Sequence, residues 1–259
     1  MSTELIVNNV EGNESLSVGE RLTSFFKEMS LGLDAFNAKN FNKSIHTLKG
    51  IDEWKKAAAA NVYFSAAIKP IPAPVLFDPR IWSFKDYVEF VLHAVPIIKL
   101  VDSQAENLYR GIKVAAAKGQ VPFNIRNVND LILISKSRQI FRENMKDTQQ
   151  FTRSLNEMYP NFNQAYDLCY SFNNIVKTLG ARDAEIVSKR MDNVVDIVKL
   201  LKVKLDESDV ILQPKEVESL NMAIGELVEN ATFAGIMLGQ LADLNRVLQI
   251  QIDELPKIM

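Results

Sequence analysis

Three features of the chain predict an all-α fold. Two long stretches carry apolar residues at alternating steps of three and four, glycine and proline are scarce, and four of the nine prolines crowd into one short segment. Steps of three and four line up one face of an α-helix. Sparse turn residues suit long helices better than many short strands. The expected architecture is an elongated helical bundle ending in a long antiparallel helix pair with coiled-coil-like packing.

The 259 residues are enough for one large domain or two modest ones with a sizeable core. Apolar residues make up 47% and charged residues 24%, the balance of an ordinary globular protein, so the chain as a whole is not disordered. A net charge of −2 argues against a broad phosphate-tracking surface. Cys169 is the single cysteine, which excludes an intramolecular disulfide and a cysteine-based zinc site and points to a reducing compartment. The start "MSTELIVNNVEGNESLS" lacks the basic and apolar regions of a signal peptide. The most apolar stretch, Ala231 to Leu244, is about 14 residues long, too short to span a bilayer. The expectation is a soluble protein that is not secreted and makes no membrane contact.

Residues 1–18 read as a flexible polar tail. From Val18 to Phe36, Leu22, Phe25, Met29, Leu33 and Phe36 share one helical face. A second helix is expected over "SIHTLKGIDEWKKAAAANVYFSAAI", where the alanine run is a strong local helix former. The connector 69–80, "KPIPAPVLFDP" at its centre, stops that helix, because each proline biases its predecessor towards extended backbone. Its expected role is a stiff strut laid across the helices. An SH3-type ligand is the alternative, but the following "VLFDPRIWSF" is too apolar to stay exposed.

Ser83 is a candidate N-cap for a helical run in which Phe84, Val88, Val91, Val95, Ile98, Asp102, Ala105, Tyr109, Ile112 and Ala116 repeat at steps of four and three. Asp102 is the only charged member. Pro96 predicts a kink, or two abutting helices with Pro96 in the first turn of the second. Gly119 and Pro122 close the run, so an N-terminal module over 19–120 is expected to meet a C-terminal module over 121–259. A helix with a weak stripe follows from about Val128 to Met158. An aromatic-rich one then runs to Gly180, a candidate C′ glycine.

The last two helices carry the clearest pattern. Ala184, Val187, Met191, Val194, Val198, Leu201 and Leu205 alternate steps of three and four. After "DESDVILQP", Pro214 starts a helix over 214–255 in which Val217, Leu220, Ile224, Leu227, Ala231, Ala234, Leu238, Leu241, Asn245, Leu248, Ile252 and Leu255 hold the same alternation. In heptad terms, mostly branched or polar residues fall at a and mostly leucine at d, with Asn245 the one polar residue, at a. A buried asparagine at a can fix register and partner number. The g positions (Ala223, Asn230, Met237, Leu244, Gln251) and e positions (Asn221, Val228, Gly235, Ala242, Gln249) carry no charge, so the stripe widens to that of a helix buried on a broad face. Ala231, Ala234, Gly235, Gly239 and Ala242 form a small-residue patch where a backbone could approach. The preceding helix is shorter, about 25 residues against about 40, which leaves roughly 20 Å of the last helix to find another cover, within the chain or on another subunit. The candidate interaction residues are Leu238, Leu241, Asn245, Leu248, Ile252 and Leu255.

Chemistry-bearing patterns are few. Glu89 and His93 stand at i,i+4, but one such pair falls short of a di-iron bundle, and His46 is the only other histidine. No phosphate-binding loop, dinucleotide fingerprint or zincin motif occurs. "LDESD" lacks the glycine and distal glutamate of a calcium loop. Cys169, among Tyr166, Tyr170 and Phe172, reads as core. The most basic stretch holds Lys136, Arg138, Arg142, Lys146 and Arg153, but Glu143 and Asp147 interleave with them as on a solvated helix face. No catalytic, cofactor-binding or metal-binding residue is assigned, and no cofactor is expected.

The arrangement "PVLFDPRIWSFKDYVEFV…AENLYRGIKVAAAKG", an aromatic proline turn feeding a long helix with a small-residue end, resembles helical virion structural proteins of large tailed bacteriophages. The resemblance covers about 50 residues and carries no functional residue across. It implies a capsid- or tail-associated component, located in the cytoplasm or the virion. The expected function is thus non-enzymatic: structural or assembly-related, through helix-face contacts with copies of itself, as a homo-oligomer, or with other structural proteins. A nucleic-acid-associated helical adaptor or regulatory protein is the alternative.

Overall fold

The computed structural model describes residues 45–60, 71–122, 128–144, 152–153, 158–178, 181–207 and 209–254. Their helices are α1 (Ile51–Ala59), α2 (Phe84–Leu92), α3 (Ala94–Lys118), α4 (Val128–Asn144), α5 (Phe162–Thr178), α6 (Ala181–Asp206) and α7 (Pro214–Glu254). A two-residue antiparallel ladder joins β1 (Ile71–Pro72) to β2 (Thr152–Arg153). The fold is all-α. The tail 1–18, the Val18–Phe36 stripe, Gly180 and Leu255 lie outside the described residues.

Local chemistry explains most boundaries. Ser83 caps α2, its Oγ accepting the Asp86 N–H at 3.1 Å. His93 separates α2 from α3, which places Pro96 in the first turn of α3, where proline has no helical N–H to lose. Gly119, at φ 64, ends α3 in the left-handed conformation, and a Cβ there would lie 3.2 Å from the Ile211 carbonyl oxygen. Asn161 opens α5 by accepting the Gln164 N–H at 2.9 Å. Pro214 is the first residue of α7. Glu216 reaches back to accept the Gln213 N–H (2.8 Å) and across to accept the Val121 N–H (3.0 Å), tying the start of α7 to the end of α3. Those two donors hold the Glu216 carboxyl below the ordinary glutamate range.

Two sequence expectations need correction here. The helix expected from residue 44 onward begins only at Ile51, because Gly50 at φ 78 breaks the helical path and residues 45–49 before it are not helical. The helix expected to run from Val128 to Met158 ends at Asn144, and Thr152–Arg153 pair with the proline segment instead.

The long helices are not packed chiefly on each other. Both α6 and α7 take α3 as their main neighbour. Contacts of α3 with α7 at Val121–Glu216 and Gln104–Asn230 (3.0 Å) run in opposite chain directions, so these two helices are antiparallel. On its other side, Arg190 of α6 bridges Asp102 (2.7 Å) and Glu106 of α3. Asp102, the one charge in the α3 stripe, therefore marks the α3–α6 seam rather than the core. The expected C-terminal pair is really a trio with α3 between its two members.

A single hydrophobic cluster runs from Leu48 to Ile252. The boundary expected near residue 120 does not divide two cores, since α3, before it, packs mainly on α6 and α7, after it. The proline segment does lie across α7, with Ala73 and Phe77 buried and the Val75 N–H donating to Asp243 at 2.6 Å.

Two tests follow from this packing. Leu241→Ala, at a fully buried site, should cost about 2–5 kcal/mol in chemical denaturation, whereas Ile211→Ser, 75% exposed, should change stability by less than about 0.5 kcal/mol. Because the folded Glu216 pKa is depressed, its contribution is present above the ordinary glutamate range and is lost as pH falls through the depressed value. Denaturation midpoints of the parent and of Glu216→Gln should therefore differ at neutral pH and converge in acid.

Candidate functional site

The C-terminal half of α7 is where the sequence pointed, and its surroundings begin with what Asn245 touches. Asn245 is fully buried. Its Nδ2 donates to the His46 carbonyl at 2.7 Å, and its Oδ1 accepts the His46 N–H at 3.4 Å. A carboxamide offers a donor and an acceptor side by side, as a peptide group does, so it can satisfy both backbone groups of one extended residue. Asn173 of α5 does the same for Leu48, accepting its N–H at 2.7 Å and donating to its carbonyl at 3.3 Å. Gln249, one turn beyond Asn245, accepts the Lys49 N–H at 2.9 Å and donates to the Lys49 carbonyl at 3.3 Å.

Three carboxamides thus clamp the backbone of residues 46, 48 and 49 between α5 and α7. The Leu48 side chain points into the core, while those of His46 and Lys49 are exposed. Gly50 then passes so close to α7 that a Cβ would stand 3.1 Å from Ile252 Cγ2. This is why the segment does not continue α1 as helix: its peptide groups already have partners, and a side chain on residue 50 would strain the close approach.

Trp54 of α1 completes the attachment. It is fully buried, with Tyr159 and Phe162 each edge-on to it at 5.8 Å between ring centroids. Tyr159 also packs edge-on against Phe84 and donates its hydroxyl to Gln251 of α7, whose Nε2 contacts Met158 Sδ at 3.2 Å. Burial holds the Tyr159 hydroxyl well above the ordinary tyrosine range and pushes the Cys169 thiol up to about 12. Both stay protonated near neutrality, and Cys169 is a core residue rather than a nucleophile.

The candidate interaction residues fall into this arrangement in an unexpected way. Leu238, Leu241, Asn245, Leu248 and Ile252 are all buried in the chain's own core, so the face marked for a partner is already covered. The length of α7 not matched by α6 is overlaid by α2, the proline segment and residues 45–60. All five described g positions are buried too, while Gly239 in the small-residue patch faces open space.

The remaining sequence candidates are not drawn together. Glu89 pairs with Lys85, and His93 is exposed beside Phe90. Arg138 reaches Glu229 of α7 at 2.7 Å, while Lys136 and Arg142 are exposed. Among the described residues no group of three or more His, Cys, Asp or Glu could hold a metal ion, and no helix is long and apolar enough to cross a membrane. Sequence reasoning missed Asn173 and Gln249. The i,i+4 spacing of Gln249 from Asn245 was the one available signal; nothing in the spacing of residues ties Asn173 to Leu48.

Comparison with protein-family models, with curated proteins and with solved structures found no match. The geometry alone therefore speaks for the site. What the three carboxamides do in this structure is hold the backbone of residues 46, 48 and 49 against α5 and α7.

Replacing Asn245 with Leu strands both His46 backbone groups in a partly buried setting, and should cost roughly 1–3 kcal/mol. Amide exchange at residues 46, 48 and 49 should accelerate with it. Gln249→Ala, nearer solvent, should cost less than half as much.

Proposed function

We propose that the chain is a non-enzymatic structural or assembly protein that works through helix-face contacts with other protein chains, in the setting of a tailed-bacteriophage virion. The observation that carries the contact reading is on α6. Leu200 and Val203 stand one turn apart, on the side opposite buried Val198 and Leu201, and are 46% and 49% exposed. Single exposed apolar residues are ordinary, but neighbouring ones on a long helix are the raw material of an interface. The carboxamide clamp joins two parts of the same chain, and its groups carry no acid–base function, which fits the non-enzymatic part of the reading. The virion setting rests on the resemblance of the segment from Pro74 to Gly119.

Light scattering tests it. The full chain should form a discrete oligomer that Leu200→Lys with Val203→Lys dissociates, with helical circular dichroism unchanged. A chain that stays monomeric throughout its soluble range, with and without the substitutions, would remove self-assembly from the proposal.

A further inference from the structure

Two exposed helix faces of this chain carry opposite charge. On α3, Lys99, Ser103, Glu106, Arg110, Lys113 and Ala117 follow one another at steps of four and three, so they line one stripe about 27 Å long. The exposed charged residues of α3 are Lys99, Arg110, Lys113 and Lys118, all of them basic. Its two carboxylates are less exposed and are spoken for. Asp102 and Glu106 both pair with Arg190 of α6, and Glu106 also accepts from Arg110 at 2.7 Å. Val114, 37% exposed, and Ala117 give the C-terminal part of the stripe an apolar edge.

The outer side of α6 has the reverse sign. Asn193, Asp196, Leu200 and Val203 follow one another at steps of three and four, and Glu207 continues the series just past the helix end. This second stripe is about 21 Å long, with Leu200 and Val203 near its middle. Between Lys189 and Asp209 the exposed carboxylates are Asp192, Asp196, Asp206, Glu207 and Asp209, against the exposed ammonium groups of Lys189 and Lys199. Lys199 already pairs with Asp196 at 3.4 Å.

We propose that the α3 stripe of one chain docks on the outer α6 stripe of a second copy. The inference rests on the assembly reading above and names the face that Leu200 and Val203 meet. Charge decides between the possible pairings. Two α6 faces together would oppose carboxylates, and two α3 faces would oppose ammonium and guanidinium groups, so neither stripe suits its own copy. The unlike pairing places cations over carboxylates and brings Val114 and Ala117 within reach of Leu200 and Val203. Exposed ion pairs are individually weak, so here they select which faces meet while the apolar residues add adhesion. A contact between unlike faces repeats head to tail, giving a ring where the rotation closes and a filament where it does not.

Charge reversal on the full chain tests the pairing by light scattering. One variant carries Lys99→Glu with Lys113→Glu, so both of its faces are acidic. The other carries Asp192→Lys with Asp196→Lys, so both of its faces are basic. All four side chains are exposed, and helical circular dichroism should be unchanged. Each variant alone should self-associate roughly tenfold or more weakly than the parent. An equimolar mixture should recover the oligomer, because every acidic face then finds a basic one. Should a variant fail to fold, rising salt on the parent takes its place, and association should weaken as the charges are screened. Reversals that leave the oligomer intact, a mixture that stays dissociated, or parent association that holds or strengthens with salt overturns the pairing. The assembly reading then stands if Leu200→Lys with Val203→Lys still dissociates the parent. A parent that is monomeric throughout removes both.

Discussion

The burial of α7 on three sides is the constraint that organises this molecule. Its a, d and g positions are buried along the described length, a face too broad for any one neighbouring helix to cover. One helix cannot meet that demand, so the N-terminal half of α7 takes α3 and the C-terminal half takes α2, the proline segment and residues 45–60. The element order follows from this need. The proline segment crosses α7 on its way to α2, and α3 runs antiparallel to α7.

Polar groups settle what apolar burial leaves open. Apolar contact is non-directional and would tolerate sliding of one helix along another. The Gln104–Asn230 hydrogen bond and the two Glu216 contacts set where α3 stands along α7, and Arg190 with Asp102 and Glu106 does so for α6. The carboxamides set where residues 45–50 lie. A buried polar network acts this way because any shift leaves a donor or acceptor unpaired in low dielectric, at a cost larger than the bond's own net worth. Asn245, read from its heptad position as a possible register device between helices, is satisfied within the chain by the backbone of His46.

The helical class, the α7 span, the Ser83 cap, the Pro96 junction and the Gly119 stop were all legible in the residues themselves. Each depends on interactions within a few positions: helical periodicity, a side-chain cap, a proline without an N–H, a glycine with positive φ. The breadth of the α7 face could also be read, from the uncharged g and e positions. Pairing was not legible. A stripe states that a face will be buried and is silent about what buries it, because many helices could supply equally apolar cover.

Tertiary structure alone decided that α3 stands between α6 and α7, that the length of α7 beyond α6 is covered from within the chain, and that residues 45–50 are not helical although alanine-rich sequence follows them. The physical reason is the same in each case. Asn173, Asn245 and Gln249 find their partners 125 to 200 positions away, and long-range backbone capture outweighs a local helix propensity worth only tenths of a kcal/mol per residue. What residues near one another in sequence prefer could be read from the chain; what distant residues do to one another appeared only once it was folded.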